Sequence, residues 1–203
     1  MRDYVFAPPP AASVPIAGSQ ARFPVHRIYC IGRNYAEHAK EMGATVTPED
    51  PIFFMKPADA IVTGDADVPY PPATNDLHHE AELVVALGQG GRDLDEAGAR
   101  ACIFGYALGL DLTRRDLQAK AKAKGAPWDV AKGFDASAPI GAIRPRSETG
   151  ELMRGELRLD VNGATRQRAG IEDMVLSPVQ ILMALSRLYT LQAGDLVFTG
   201  TPS

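Results

Sequence analysis

The 203-residue chain has only two cysteines, one tryptophan and no excess of positive charge. Cys30 and Cys102 lie far apart and fit no zinc-ligand spacing, which argues against a disulfide framework or a cysteine-ligated zinc site. Both read as small buried hydrophobes of a protein from a reducing compartment. A net charge of −4 argues against nucleic acid or an anionic membrane as the main partner, because both reward clustered cations. A local basic pocket for a small anion stays compatible with that balance. No run approaches the roughly 18 uninterrupted apolar residues of a membrane span. Residues 1–12 hold one early arginine and then Pro8, Pro9 and Pro10, without the apolar core of a signal peptide. A cytoplasmic protein is expected.

What is present is ordinary globular material. At 45% hydrophobic, the chain can bury a full core, and one domain is expected. Residues 1–26, rich in Pro, Ala and Ser, read as an arm or leading strand before a catalytic domain spanning 27–203. Ile28-Tyr29-Cys30-Ile31-Gly32 reads as a buried strand. Asn34 is expected to cap a short helix, with Glu37 in capping-box position and Gly43 past its end. Further strands are expected over residues 51–56, 83–87, 156–161 and 195–199, and in the apolar run 103–113. Gly88-Gln89-Gly90-Gly91 reads as a turn, since it lacks the lysine and helix start of a phosphate loop. Asn162-Gly163 is a hairpin-turn signal. A basic helix is expected over 114–124, and Ser177-Pro178 should open a second helix with Val179, Leu182, Leu185 and Leu188 on one face. The pattern favours a mixed, β-rich domain built around a β-roll or barrel over alternating βαβ units.

Glu80 and Glu82 stand two apart where a strand is expected, and period-two alternation puts both carboxylates on one face. A solvated strand face is the bland alternative, but residues 83–87 are too apolar for a strand with a wet side. Asp111 ends the next apolar run, where a lone Asp is more often a helix cap than a ligand. Together the three carboxylates make a hard oxygen site suited to Mg²⁺ or Mn²⁺. His78 and His79 leave a zinc site as a lesser alternative.

His38 and Glu41 lie at i, i+3 on the expected short helix. The carboxylate would orient the imidazole and raise its basicity, although from this fragment alone a plain helix-surface contact is the favoured explanation. Arg115, Gln118 and Lys122 share one face of the basic helix. Arg115 and Gln118 fall in its first turns, next to Asp111, whereas Lys120, Lys122 and Lys124 read as a solvated basic face. Lys132, in Ala131-Lys132-Gly133-Phe134-Asp135, is placed to be partly buried and to point into a pocket.

Taken in order, these fragments resemble the fumarylacetoacetate hydrolase family. The matching pieces are Gly32-Arg33-Asn34-Tyr35-Ala36-Glu37-His38, Phe54-Met55-Lys56-Pro57 and His78-His79-Glu80-Ala81-Glu82-Leu83. They continue with Gly105-Tyr106 through Asp111-Leu112-Thr113-Arg114-Arg115-Asp116, then Ala131-Lys132-Gly133-Phe134-Asp135, and finally Gly194-Asp195 through Phe198-Thr199-Gly200-Thr201-Pro202. Within the family, the run from Asp111 through Gln118, with Trp128 ahead of Lys132, is most similar to fumarylpyruvate hydrolases, with acylpyruvate hydrolases as near neighbours. The resemblance implies a mixed α+β β-roll with short flanking helices, one Mg²⁺ or Mn²⁺ per subunit and a homodimer. It implies metal ligation by Glu80, Glu82 and Asp111 and a base pair of His38 and Glu41. Lys132 and Gln118 would stabilise the intermediate, while Arg33, Lys56, Arg115 and Thr201 would contact substrate. Arg33 or Arg115 would meet the substrate's far carboxylate. The expected reaction is hydrolysis of a 2,4-dioxo acid, fumarylpyruvate to fumarate and pyruvate, in gentisate-type aromatic breakdown. Oxaloacetate decarboxylation, or dienoate isomerisation or hydration, is the alternative within the family, and a non-catalytic metal- or ligand-binding domain the alternative outside it. Family members usually continue past Thr-Gly-Thr-Pro into further strands that complete the roll, and this sequence ends at Ser203.

Overall fold

The structure, a computed structural model, describes residues 4–37 and 48–203. Its centre is a six-stranded mixed sheet. The strands are β1 (Ile28–Gly32), β2 (Ile52–Lys56), β3 (Ala81–Leu87), β4 (Ile103–Leu110), β5 (Arg144–Pro145) and β6 (Leu196–Phe198). They lie in the order β5-β4-β3-β6-β1-β2, with β6 parallel to β1 and antiparallel to β3. The last strand is thus inserted between two early ones, and its end meets the end of β1 and the start of β3.

Alternation along these strands sorts side chains into two cores. Tyr29, Val197 and Val85 sit in one cross-strand row and belong to the first core. Cys30, Phe198 and Val84 form the next row and belong to the second. Every residue of β3 is buried, which accounts for its unbroken apolar run. The first core is covered by α1 (Glu96–Cys102) and by α4 (Pro178–Leu188). Ser177 caps α4 in a capping box with Gln180, and Val179, Ile181, Leu182 and Leu185 are buried beneath it. Burying each such side chain contributes roughly 1.5–3 kcal/mol. The second core is closed by residues from the leading segment, whose short strands Ser13–Pro15 and Arg22–Pro24 pair as a hairpin and bury Val14 and Phe23. Both cysteines are buried free thiols.

The other expected elements form close to where the sequence places them. The basic helix is α2 (Arg115–Lys124), ended by Gly125 in the left-handed conformation, and the four-residue α3 (Asp129–Lys132) follows it. A hairpin of Glu156–Val161 and Ala164–Gly170 turns through Asn162 and Gly163, both at positive φ. Two differences stand out. Helix α1, absent from the sequence reading, is capped by Asp95, whose side chain accepts from Gly98 N. The Asn34 side-chain amide donates to Leu176 O and Thr199 O and accepts from Leu176 N, distant backbone partners that the sequence reading did not foresee. Glu37 is the last described residue of the expected short helix, and most of that helix, with His38 and Glu41, lies outside the described residues.

Candidate metal centre and active site

Because β3 runs antiparallel to β4 and β6, its first residues lie beside the last residues of its neighbours. Glu80 and Glu82 therefore meet Asp111, which follows β4, and Gly200 and Thr201, which follow β6. One carboxylate oxygen each of Glu80, Glu82 and Asp111 lies within 4.8 Å of the other two, and all three residues are buried. Among the described residues these are the one group arranged to share a metal ion. The histidines are not drawn in: His78 is exposed and pairs with Asp76 at 3.0 Å.

Cations surround this cluster unevenly. Lys132 Nζ lies 2.6 Å from Glu80 Oε2 and 2.6 Å from Asp111 Oδ2. Arg115 donates to Glu80 Oε1 at 2.6 Å and to Gln118 Oε1 at 2.7 Å. Lys56 stands 2.8 Å from Asp111 Oδ1 and donates to Leu112 O and to Lys132 O. Desolvation alone would raise the Glu80 carboxyl, but Lys132 and Arg115 outweigh it and hold it at about 2. Burial alone would lower Lys132, but Asp111 and Glu80 raise it above the ordinary lysine range, so its ammonium is firmly charged.

Glu82 is the exception. Its Oε2 accepts one hydrogen bond from Gly200 N at 2.8 Å, and no lysine or arginine among the described residues pairs with it. Burial, then the charges of Asp111 and Glu80, push its carboxyl well above the usual carboxylate range. A divalent cation among the three oxygens would supply the positive charge that Glu82 lacks. The donor set is all oxygen, which suits Mg²⁺ or Mn²⁺ and fits the group.

The frame around the carboxylates is held by polar side chains whose roles are not visible from chain-local patterns. Gln167, on the second strand of the hairpin, accepts from Ala81 N at 2.9 Å and donates to Thr201 Oγ1 at 2.8 Å and Pro202 O at 2.7 Å. Thr201 in turn donates to Ala81 O at 2.9 Å. The start of β3 and the segment after β6 are thereby locked together. Gly200 is needed at its position: its φ is +94°, and a Cβ there would lie 2.7 Å from Asn34 Cβ.

A cavity of about 30 Å³, room for an ion or a water, opens against the carboxylates and is lined also by Arg33, Arg115, Gln118, Lys132 and Thr201. The structure thus brings these expected site residues together. Lys56 touches the cluster through Asp111 but does not line the cavity, and its contacts are all on protein groups. Lys122 is a correction. Lys120 and Lys124 are exposed as expected, but Lys122 is half-buried, lines the cavity and stands 5.2 Å from the Trp128 ring centre. The signal was its place on the face of Arg115 and Gln118; what turned it inward is the packing of α3 and Trp128 beside α2.

Comparison with known proteins agrees with this geometry. Residues 27–203 match the family model described as fumarylacetoacetate (FAA) hydrolase C-terminal. A fumarylpyruvate hydrolase from Pseudomonas aeruginosa, solved in complex with Mn²⁺ and pyruvate, superimposes with a TM-score of 0.95 at 46% identity, covering 99% of this chain and 88% of that one. A putative fumarylpyruvate hydrolase from Burkholderia cenocepacia gives 0.92 at 50% identity over 100% of this chain and 84% of that one. Among curated proteins, a mitochondrial oxaloacetate tautomerase of Arabidopsis thaliana is 43% identical over 87% of this chain and 78% of its own. An oxaloacetate tautomerase of Escherichia coli is 42% identical over 91% and 84%. No helix among the described residues is long and apolar enough to cross a membrane. The mixed, strand-rich fold is that of the fumarylpyruvate hydrolase structures, and the chain belongs to the fumarylacetoacetate hydrolase family of enzymes.

Proposed function

We propose that this enzyme hydrolyses the C–C bond of an acylpyruvate, with fumarylpyruvate as its substrate and fumarate and pyruvate as products. The observation that carries the reading is the buried cluster of Glu80, Glu82 and Asp111 beside Lys132, Arg115 and Gln118, in a fold that a fumarylpyruvate hydrolase with Mn²⁺ and pyruvate matches closely.

A Mg²⁺ or Mn²⁺ ion held by Glu80, Glu82 and Asp111 would supply Lewis acidity and a fixed seat for the substrate's 1-carboxylate and 2-oxo group. Arg115 braces Glu80 and orients Gln118 toward the cavity. His38, oriented by Glu41, takes a proton from the water that attacks the 4-carbonyl. Lys132 and Gln118 stabilise the oxyanion that forms there. Collapse of that intermediate breaks the C3–C4 bond and gives fumarate and the enol form of pyruvate, which is protonated at C3.

A second reading is oxaloacetate tautomerase or decarboxylase, favoured by curated oxaloacetate tautomerases at 42–43% identity and an oxaloacetate decarboxylase at 40%. It uses the same stabilised enolate and needs no water attack. Assay of the purified protein with fumarylpyruvate, acetylpyruvate and oxaloacetate, with Mg²⁺ or Mn²⁺ and then with EDTA, separates the two. Cleavage of the acylpyruvates supports the hydrolase, whereas turnover of oxaloacetate alone overturns it. The proposed homodimer would cover the apolar groove lined by Val62, Val68, Leu108, Ile140 and Leu157, where Leu108 is 60% exposed. Light scattering of the purified protein tests it.

A further inference from the structure

Not every cation at the cavity is committed to the carboxylate cluster. Lys132 and Arg115 lie against Glu80, and Lys132 also against Asp111. Lys122 and Arg33 remain. Both line the same cavity, and neither forms an ion pair among the described residues. Lys122 projects from α2 on the face that carries Arg115 and Gln118, one turn beyond Gln118 and hence farther from the carboxylates. Its ammonium stands 5.2 Å from the centre of the Trp128 ring, which packs against Phe54 at 5.9 Å between centroids. The contact with the ring face limits where the ammonium can go without neutralising it.

Arg33 approaches from β1. It follows Gly32 with φ at +62°, a conformation that non-glycine residues adopt rarely and that a functional site can retain. Its Nε is buried and has no hydrogen-bond partner among the described residues. A buried guanidinium donor without an acceptor costs free energy unless a ligand supplies one.

We propose that Lys122, seated on Trp128 with Arg33 beside it, forms a second anion subsite that holds the carboxylate at the far end of the substrate and selects dicarboxylate acylpyruvates over monocarboxylate ones. Resting on the hydrolase reading above, it names the residue that would set the preference within that class. The Phe54 and Trp128 rings provide an apolar wall for the carbon chain between the two anionic ends.

The test compares wild type, Lys122→Met, Lys122→Gln and Lys122→Arg, each loaded with Mn²⁺, for the ratio of kcat/KM on fumarylpyruvate to that on acetylpyruvate. Loss of one charge-assisted hydrogen bond predicts a fall in this ratio of roughly 10- to 100-fold in the Met and Gln variants. The fall should reside mainly in KM for fumarylpyruvate, and Arg should keep most of the preference. A ratio within about threefold of wild type in both neutral variants would overturn the subsite while leaving the hydrolase reading intact. Wild-type protein that cleaves neither acylpyruvate would overturn the hydrolase reading and the subsite with it.

Discussion

Gly200 donates its backbone N–H to Glu82 Oε2 at 2.8 Å, joining the segment after the last strand to a carboxylate at the start of β3. The contact requires a left-handed glycine pressed against Asn34. Gly200→Ala should therefore cost about 1–3 kcal/mol, which in a chain of this size lowers Tm by several degrees. It should also weaken Mn²⁺ binding, because Glu82 loses its one fixed partner. Thermal unfolding and a Mn²⁺ titration check both, and an unchanged Tm with unchanged affinity would contradict the account.

Lys56 is a stability residue in this structure. Its ammonium is buried against Asp111 and two backbone carbonyls. Lys56→Met should destabilise the metal-free protein by about 3 kcal/mol, the lower end for breaking a buried pair, since Lys132 still faces Asp111. Added Mn²⁺ should restore part of the loss by binding the folded state. Urea unfolding with and without the ion measures this.

In the proposed hydrolysis His38 and Glu41 would activate water, a step that only hydrolysis needs. His38→Ala should lower acylpyruvate hydrolysis by roughly 100- to 10,000-fold. Any oxaloacetate decarboxylation should fall much less. Parallel loss of both activities would remove the water-activating role.

The subsite also predicts a pH dependence. Lys122 is lowered to about 8, by burial first and then by the charges of Arg33, Arg115 and Lys132, with Glu80 opposing; the Trp128 ring it faces carries no charge. Its ammonium is present below that value and lost above it. KM for fumarylpyruvate should therefore rise as pH passes about 8, and KM for acetylpyruvate should rise less. Parallel KM profiles for the two substrates between pH 7 and 9 would contradict the assignment.

Much of the fold and of the site could be read locally. Alternation placed Glu80 and Glu82 on one face, and the Ser177 cap, the Asn162-Gly163 turn and the burial of β3 all follow from neighbours in sequence. What was missed depends on distant partners. Asn34 has the residue type and spacing of a helix cap, yet its partners are Leu176 and Thr199. Gln167 sits among charged residues on a hairpin strand, and nothing nearby in sequence indicates that it ties Ala81 to Thr201. Lys122 belongs to a basic helix face whose inner edge is defined only by Trp128, which packs against Phe54.

The central claim is that Glu80, Glu82 and Asp111 share one divalent cation. Anomalous diffraction from crystals grown with Mn²⁺ tests it most directly. The account predicts a single strong peak at roughly 2.0–2.2 Å from an oxygen of each of the three carboxylates. A peak bound elsewhere, or no peak at saturating Mn²⁺ with Lys132 still between Glu80 and Asp111, would contradict it.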